Sequence, residues 1–300
     1  MAYDGRLLDR DYFMNDHLKG LLITTIGVLF VVPDSLFVRV VGAEPQVTAF
    51  WRGLTAGSFI LAFLVATQGF QGFRDVLRSG WPGLIYAVLI GTTTPAFVFA
   101  IDNTSVANVV FIFASMPIFA ALFSRLFLGE VIQAQMVVTM AVVFLGLGII
   151  AYGSNTSQLA SWRGDIWAVY VCIAFAGALT AARKAKATSM VPALPFAFLG
   201  SALILGLFAS PAEVFVTRWP LLLAHGACIA AGSCLLAIGP RFISSAEVSL
   251  LVLLESVLAP ILVWWVIGEN PGSLAVVGGT VVISALLISN IYSLLRSNQS

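Results

Sequence analysis

The fold is decided by a stretch that runs from Ser244 to Glu269 and reads SSAEVSLLVLLESVLAPILVWWVIGE. It is long enough to cross a bilayer, because a spanning helix needs about 20 apolar residues. One carboxylic acid, Glu255, lies near its middle. An ionised side chain at that depth costs roughly 2.5–3.5 kcal/mol on insertion, so it normally faces a protein interior or a water-filled cavity. Glu255 is therefore the first candidate for a functional residue.

The same pattern occurs once before in the chain. Residues 105–130 read SVANVVFIFASMPIFAALFSRLFLGE and align with the later stretch without a gap at a shift of 139 positions. Both copies end in Gly-Glu, but the earlier copy has Met116 where the later one has Glu255. Weaker matches at shifts of 138 and 144 positions pair Trp81-Pro82 with Trp219-Pro220, Gly20 with Gly164, and Arg39 with Arg183. Their order and near-constant spacing predict an internal duplication.

The composition excludes a soluble protein. Hydrophobic residues make up 60% of the chain and charged residues only 10%, whereas soluble domains average about 25% charged residues. The net charge of +1 offers no basic patch for a nucleic acid. We therefore expect an all-α integral membrane protein that contacts the lipid bilayer and binds no nucleic acid.

Ten segments are apolar and long enough to be spans, and many are bounded by Pro, Gly or a charged residue. Their expected bounds are 18–40, 46–67, 81–101, 105–128, 132–153, 164–183, 193–210, 219–239, 246–268 and 273–295. Residues 1–17 are expected to form a cytoplasmic tail. Two five-helix repeats follow, over residues 18–153 and 163–295.

Five spans are an odd number, so the second repeat must enter the membrane upside down relative to the first. This predicts ten transmembrane helices arranged as two inverted repeats, with a substrate site near the midplane between them. If the N-terminus is inside, eleven Lys and Arg residues lie on the inner side and three on the outer side. Positive charge favours the cytoplasmic side, so both termini are expected there, in the plasma (inner) membrane.

The two halves have five expected helices each, the fourth and ninth end in Gly129-Glu130 and Gly268-Glu269, and the second contains Ala49-Phe50-Trp51-Arg52-Gly53. In these features the sequence resembles the EamA-type branch of the drug/metabolite transporter superfamily. The resemblance implies ten helices, two EamA repeats, and the movement of small metabolites, often amino acids or related solutes, commonly as export. The tryptophan-containing signature of the family's first span is replaced here by Val31-Val32-Pro33-Asp34-Ser35.

Two buried charges accompany Glu255 as candidate substrate-binding residues. Asp34 lies about fifteen residues along the first span and Arg52 about six residues into the second, so both fall in the outer third of the membrane by helix rise. Pairing would lower the cost of burying each of them. A structural ion pair and a gating or substrate role both remain open. For Glu255 the alternatives are a substrate cation partner, a proton carrier and a neutral structural acid.

Three further residues complete the set of candidates. Thr93 lies in a Thr92–Thr94 triplet before Pro95, where a hydroxyl either bonds to its own helix or faces a cavity. His225 is the one histidine within an expected span, and is either a structural group or a proton relay. Asn108 in the fourth span is the weakest candidate. Neither a cofactor nor a metal site is expected, because the two histidines and three cysteines follow no ligand pattern.

These observations favour a secondary transporter or exporter of small organic metabolites that works by alternating access, with proton coupling left open, as a monomer or homodimer. The chain is not expected to be an enzyme, because no hydrolase motif occurs in it, and the missing phosphate-binding loop argues against an ATP-driven motor. The rival interpretation is a passive channel or lipid scramblase on the same ten-helix scaffold. A channel is expected to show like residues in both halves, and Met116 opposite Glu255 is not such a pair.

Overall fold

The structure is a computed structural model. It describes residues 5–129, 131, 134–156, 161–243, 247–248 and 251–297. Thirteen α-helices account for most of these residues, and no strand occurs among them. They are α1 (Gly5–Val31), α2 (Asp34–Val41), α3 (Pro45–Gln68), α4 (Gln71–Arg78), α5 (Trp81–Asn103), α6 (Val106–Phe113), α7 (Met116–Phe123), α8 (Ala134–Thr156), α9 (Trp162–Lys184), α10 (Leu194–Gly206), α11 (Ala212–Ile238), α12 (Leu253–Ile267) and α13 (Ser273–Ser297).

Six helical stretches in the described residues are long and apolar enough to cross a membrane, and four shorter stretches are also apolar. The long ones are Asp16–Val41, Pro45–Gln68, Trp81–Asn103, Val106–Leu128, Trp162–Lys184 and Ala212–Arg241. The shorter ones are Val137–Gly153, Val191–Gly206, Leu253–Ile267 and Ser273–Ser289.

The distribution of side chains is the reverse of that in a soluble protein. Large apolar residues such as Phe63, Leu145 and Leu203 point outward and are exposed, whereas Asp34 and Glu255 are buried. A surface of this kind matches a hydrocarbon solvent, in which polar side chains face the protein interior.

Three expected spans are interrupted rather than continuous. The first breaks at Val32 and Pro33, and the fourth at Ala114 and Ser115. In the ninth, a turn at Val252 precedes α12. Proline explains the first two breaks, because Pro33 and Pro117 have no N–H to donate to the preceding turn. The breaks in the fourth and ninth spans lie at nearly equivalent positions of the duplicated stretch.

The glycine of each repeated Gly-Glu pair ends a helix. Gly129 and Gly268 follow the helices of the expected fourth and ninth spans with φ angles of 74° and 73°. This left-handed conformation ends helices and favours glycine, which has no Cβ to clash. The glutamate that follows Gly268 is thereby directed away from its own helix.

Several predicted bounds need correction. Helix α11 begins at Ala212, not near residue 219, because Pro220 lies inside the helix and removes one backbone hydrogen bond without ending it. Helix α10 ends at Gly206, before the expected limit of 210. Helix α1 begins at Gly5, so part of the stretch that we expected as a cytoplasmic tail is helical, while the apolar stretch of membrane-spanning length begins at Asp16.

Helices of the two halves pack against each other in pairs. Helix α5 packs on α9, α1 on α11, α3 on α10, α6 on α12, and α8 on α13. Close approach depends on glycine just beyond the ends of α11 and α5: a Cβ on Gly20 would lie 2.6 Å from Cβ of Phe242, and one on Gly164 would lie 2.6 Å from Cβ of Thr104. The paired helices surround the middle of the molecule, where the candidate site lies.

Candidate functional site

A cavity of about 80 Å³ lies in the middle of the bundle and is lined equally by residues of the first and second halves. Its walls are mostly apolar and aromatic, and include Phe97 and Phe113 from the first half and Phe175 and Phe198 from the second. Ligand pockets for small molecules commonly measure about 300–1,000 Å³. The cavity in this conformation is therefore smaller than such pockets, and it has to widen to admit a small-molecule ligand.

Asp34 and Arg52 meet on the cavity wall in a two-point ion pair. The Arg52 guanidinium donates from Nη2 to Asp34 Oδ2 at 2.6 Å and from Nε to Asp34 Oδ1 at 3.1 Å. Asp34 is placed there because it is the first residue of α2, directly after the break at Pro33. The pairing that we expected from their similar depth is present.

His225 and Thr94 complete this ionic cluster. Nε2 of His225 lies 2.6 Å from Asp34 Oδ1, and since an ionised carboxylate only accepts, the ring donates that proton. The imidazole stacks on Phe37 with ring centroids 5.2 Å apart. Arg52 also donates from Nη1 to the Thr94 hydroxyl at 3.3 Å, and its guanidinium lies over the Phe97 ring. Every oxygen of Asp34 therefore has a partner.

Glu255 lies on the same cavity but differs from Asp34 in having no partner. It is only 6% exposed, and its carboxyl group forms neither a hydrogen bond nor an ion pair with the residues that the structure describes. It occupies the first turn of α12, three residues after the turn at Val252. An acid in this position is available to a ligand or a proton.

Comparisons with known proteins match nearly the whole chain. The profile of the EamA-like transporter family matches residues 18–152 and again residues 162–291. The chain belongs to the EamA-like transporter family.

This EamA-like chain is thus a multi-pass membrane protein built from two EamA repeats, and its family consists of transporters in the drug/metabolite transporter superfamily. A solved structure titled "Crystal structure of protein" aligns with a TM-score of 0.65 over 94% of this chain and 99% of that chain. The two sequences are 16% identical, so the likeness concerns the fold alone. No curated protein matches the chain.

The candidate residues fall into two groups in this EamA-like fold. Asp34, Arg52, Thr93 and Glu255 line the cavity, and His225 joins them by binding Asp34. Of the threonine triplet, Thr93 bonds to the carbonyl of its own helix at Ile90, whereas Thr94 rather than Thr93 reaches Arg52. Asn108 lies elsewhere: its amide donates to Asp165 and Thr104.

A second polar network lies at the end of the bundle that includes Asn108. Glu269 accepts from Arg39 Nε at 2.9 Å and from the backbone N–H of Val106 at 2.7 Å. Arg39 also donates to the carbonyl of Thr104 at 3.0 Å, and the Thr104 hydroxyl donates to Asp165 at 2.9 Å. Because Val106 begins α6, the glutamate lies at a helix N-terminus, which favours a negative charge. The network connects elements of both repeats.

In the sequence, Arg39 and Glu269 stand out only as parts of the duplicated pattern. Their contact was not foreseen because they are 230 positions apart and belong to different repeats. Tyr86 and Ser233, which also line the cavity, carried no sequence signal. Within the described ranges there is no cluster of three or more His, Cys, Asp or Glu residues that could hold a metal ion.

Proposed function

We propose that this protein is a secondary transporter that exports small organic metabolites, amino acids or related solutes, by alternating access. The observation that carries the proposal is the cavity lined by residues of both repeats, with Glu255, which has no partner among the described residues, on its wall. A buried acid of this kind is expensive to keep in a membrane protein and is usually functional.

The proposal includes ten membrane-spanning helices in two inverted repeats, with the four shorter apolar helices also crossing the bilayer. Helix packing supports this arrangement. In chain order, α1 of the first half corresponds to α9 of the second half, and α5 corresponds to α11. If corresponding helices are exchanged, the α5–α9 pair becomes the α11–α1 pair, which is also present. The other three pairs, α3–α10, α6–α12 and α8–α13, each join corresponding helices and are unchanged. A two-fold relation gives this result, and five crossings in each half place its axis in the membrane plane.

Individual contacts repeat under the same exchange. Gly20 approaches Phe242 as Gly164 approaches Thr104, and Phe242 follows Thr104 by 138 positions. Arg39 donates to the carbonyl of Thr104, whereas Arg183 donates to the carbonyl of Ile243, 139 positions later. Equivalent residues of the two repeats thus serve equivalent contacts, which is what alternation between two related conformations requires.

The cycle we propose uses the helix breaks and the second polar network. With both termini in the cytoplasm, the network of Arg39, Glu269 and Val106 lies on the outer side and holds that side closed. The breaks before Asp34, Met116 and α12 allow half-helices to move while the cavity opens to one side. A ligand shifts such an equilibrium only by binding the two states differently, and residues at the breaks are placed to do so.

The test is counterflow in vesicles that contain the purified protein. A transporter by alternating access exchanges labelled for unlabelled substrate faster than it performs net efflux, and the rate saturates. The channel or scramblase alternative predicts no acceleration by substrate on the opposite side. Protein-free vesicles provide the background rate. Flux without saturation or exchange would refute the proposal.

A further inference from the structure

The cation that lines the cavity is already neutralised. Among the residues that line it, Arg52 is the one Lys or Arg, and its guanidinium holds both oxygens of Asp34. A substrate carboxylate that took Arg52 would leave Asp34 buried with only His225 as a partner. Breaking a buried ion pair in this way is unfavourable, because one charge remains uncompensated. The cavity therefore offers no ready partner to an anion.

Glu255 presents the opposite situation. Its carboxyl group is almost completely buried, lies on the same cavity, and has no partner among the described residues. Burying an unpaired charge is costly, and a ligand that brings a positive charge removes this cost by pairing with the carboxylate. One unpaired acid matches one such charge.

The other residues that line the cavity are suited to the apolar part of such a ligand. Four phenylalanines and Tyr86 line the cavity together with aliphatic residues. Aromatic faces attract an ammonium group, and they also pack against an apolar or aromatic body. Tyr86 and Ser233 add hydroxyl groups that can accept further N–H groups.

We propose that the cavity binds an organic amine, with a single ammonium group on an apolar or aromatic body, through Glu255 while Arg52 stays paired with Asp34. This inference rests on the proposed transport function and narrows its substrate class. A zwitterionic amino acid fits less well, because its carboxylate would have to compete with Asp34 for Arg52.

Four probes with the same aromatic body separate the possibilities. They are 2-phenylethylamine, 3-phenylpropanoate, phenylalanine and 2-phenylethanol, and their binding to the purified full-length protein is measured by calorimetry. We expect the amine to bind about tenfold or more tightly than the other three, as the charge-assisted hydrogen bond requires. Tighter binding of the carboxylate or of phenylalanine overturns the inference. Equal binding of amine and alcohol, or binding of none of the four, also overturns it.

Two variants test whether amine binding depends on Glu255. Glu255→Gln keeps the shape of the side chain and is expected to weaken amine binding by about tenfold while leaving the alcohol unaffected. Glu213→Gln is the matched control, because Glu213 is exposed in the first turn of α11, away from the cavity. Equal effects of the two variants on amine binding would contradict the inference.

Counterflow measurements show whether the amine-binding site or the transport function has failed. Amine binding that depends on Glu255, without any exchange of amine across vesicles, would refute the transporter while leaving the binding site. Exchange of phenylalanine that is unaffected by Glu255→Gln would leave a transporter and remove the amine site. The comparison of the four probes on the wild-type protein needs no variant, so a variant that folds poorly does not prevent the test.

Discussion

The carboxylate of Glu269 lies 2.9 Å from Nε of Arg39 and 2.7 Å from the backbone nitrogen of Val106. One side chain of the second repeat, two residues after the end of α12, thus joins the end of α2 and the start of α6, both in the first repeat. In the proposed topology this contact holds the outer side closed.

Glu269→Gln should open the outer side. A partly buried ion pair of this kind contributes about 1 kcal/mol, and its loss from the closed state corresponds to about a fivefold shift in population. The readout is a cysteine at Ser233, which lines the cavity, after replacement of the three native cysteines by alanine. A membrane-impermeant maleimide added from outside should label it about five times faster.

Glu213→Gln in the same background is the control and should leave the rate unchanged, because Glu213 is exposed and takes no part in this contact. An unchanged rate in Glu269→Gln would show that the contact does not determine outward access.

Asp34 and Arg52 should be strongly coupled in stability. Asp34→Asn or Arg52→Gln alone leaves a buried charge without its partner, which costs about 3–5 kcal/mol, whereas the double variant should cost less than the sum. A double-mutant cycle on thermal unfolding measures the coupling. Losses that simply add would contradict the energetic role of the 2.6 Å contact.

His225 should matter less than Arg52 for the stability of the same cluster. Removing its ring takes one of two donors from Asp34 Oδ1, and Arg52 Nε still donates to that oxygen. We expect His225→Phe to cost about 1–3 kcal/mol, less than Arg52→Gln. Unfolding of the two single variants under the same conditions gives the ranking. The reverse order would show that the histidine, not the arginine, holds Asp34.

Topology can be tested on both sides at once. A cysteine at Ser157, which lies outside the described residues, should be labelled from outside intact cells. One at Ser189, between α9 and α10, should be labelled only after permeabilisation. We expect this orientation because Lys and Arg residues are in excess on the expected inner side. If Ser189 were labelled from outside and Ser157 only after permeabilisation, the predicted orientation would be wrong. If both were labelled from the same side, the inverted repeat would be wrong.

Much of the fold followed from two simple patterns. Apolar segments bounded by Pro, Gly and charged residues predicted helices throughout, and the gapless alignment of the two stretches predicted the duplication. The meeting of Asp34 and Arg52 also followed, because helix rise placed both at one depth on consecutive helices. Glu255 was chosen for its position in the middle of its span and Thr93 for its position before Pro95, and both line the cavity.

The rest depended on contacts between residues far apart in the chain. His225 binds Asp34 from 191 positions away, and hydropathy alone does not bring α11 to α2. Asn108 was the weakest candidate, and it lies in the first turn of α6, where its amide donates to Asp165 instead of lining the cavity. The breaks in three spans were not predicted, since a proline in an apolar segment can either end, bend or continue a helix.

The most direct test of the central claim is uptake of 2-phenylethylamine into vesicles with and without a pH gradient, in wild-type protein and Glu255→Gln. Protonation of Glu255 removes the charge that attracts the amine, while Asp34, Arg52 and His225 remain bound to one another. The account predicts that wild-type uptake falls at acid pH and responds to the gradient. It also predicts that Glu255→Gln shows weak uptake without either response, while Glu213→Gln behaves as wild type. Wild-type uptake and an unchanged pH profile in Glu255→Gln would leave Glu255 a structural acid and contradict the account.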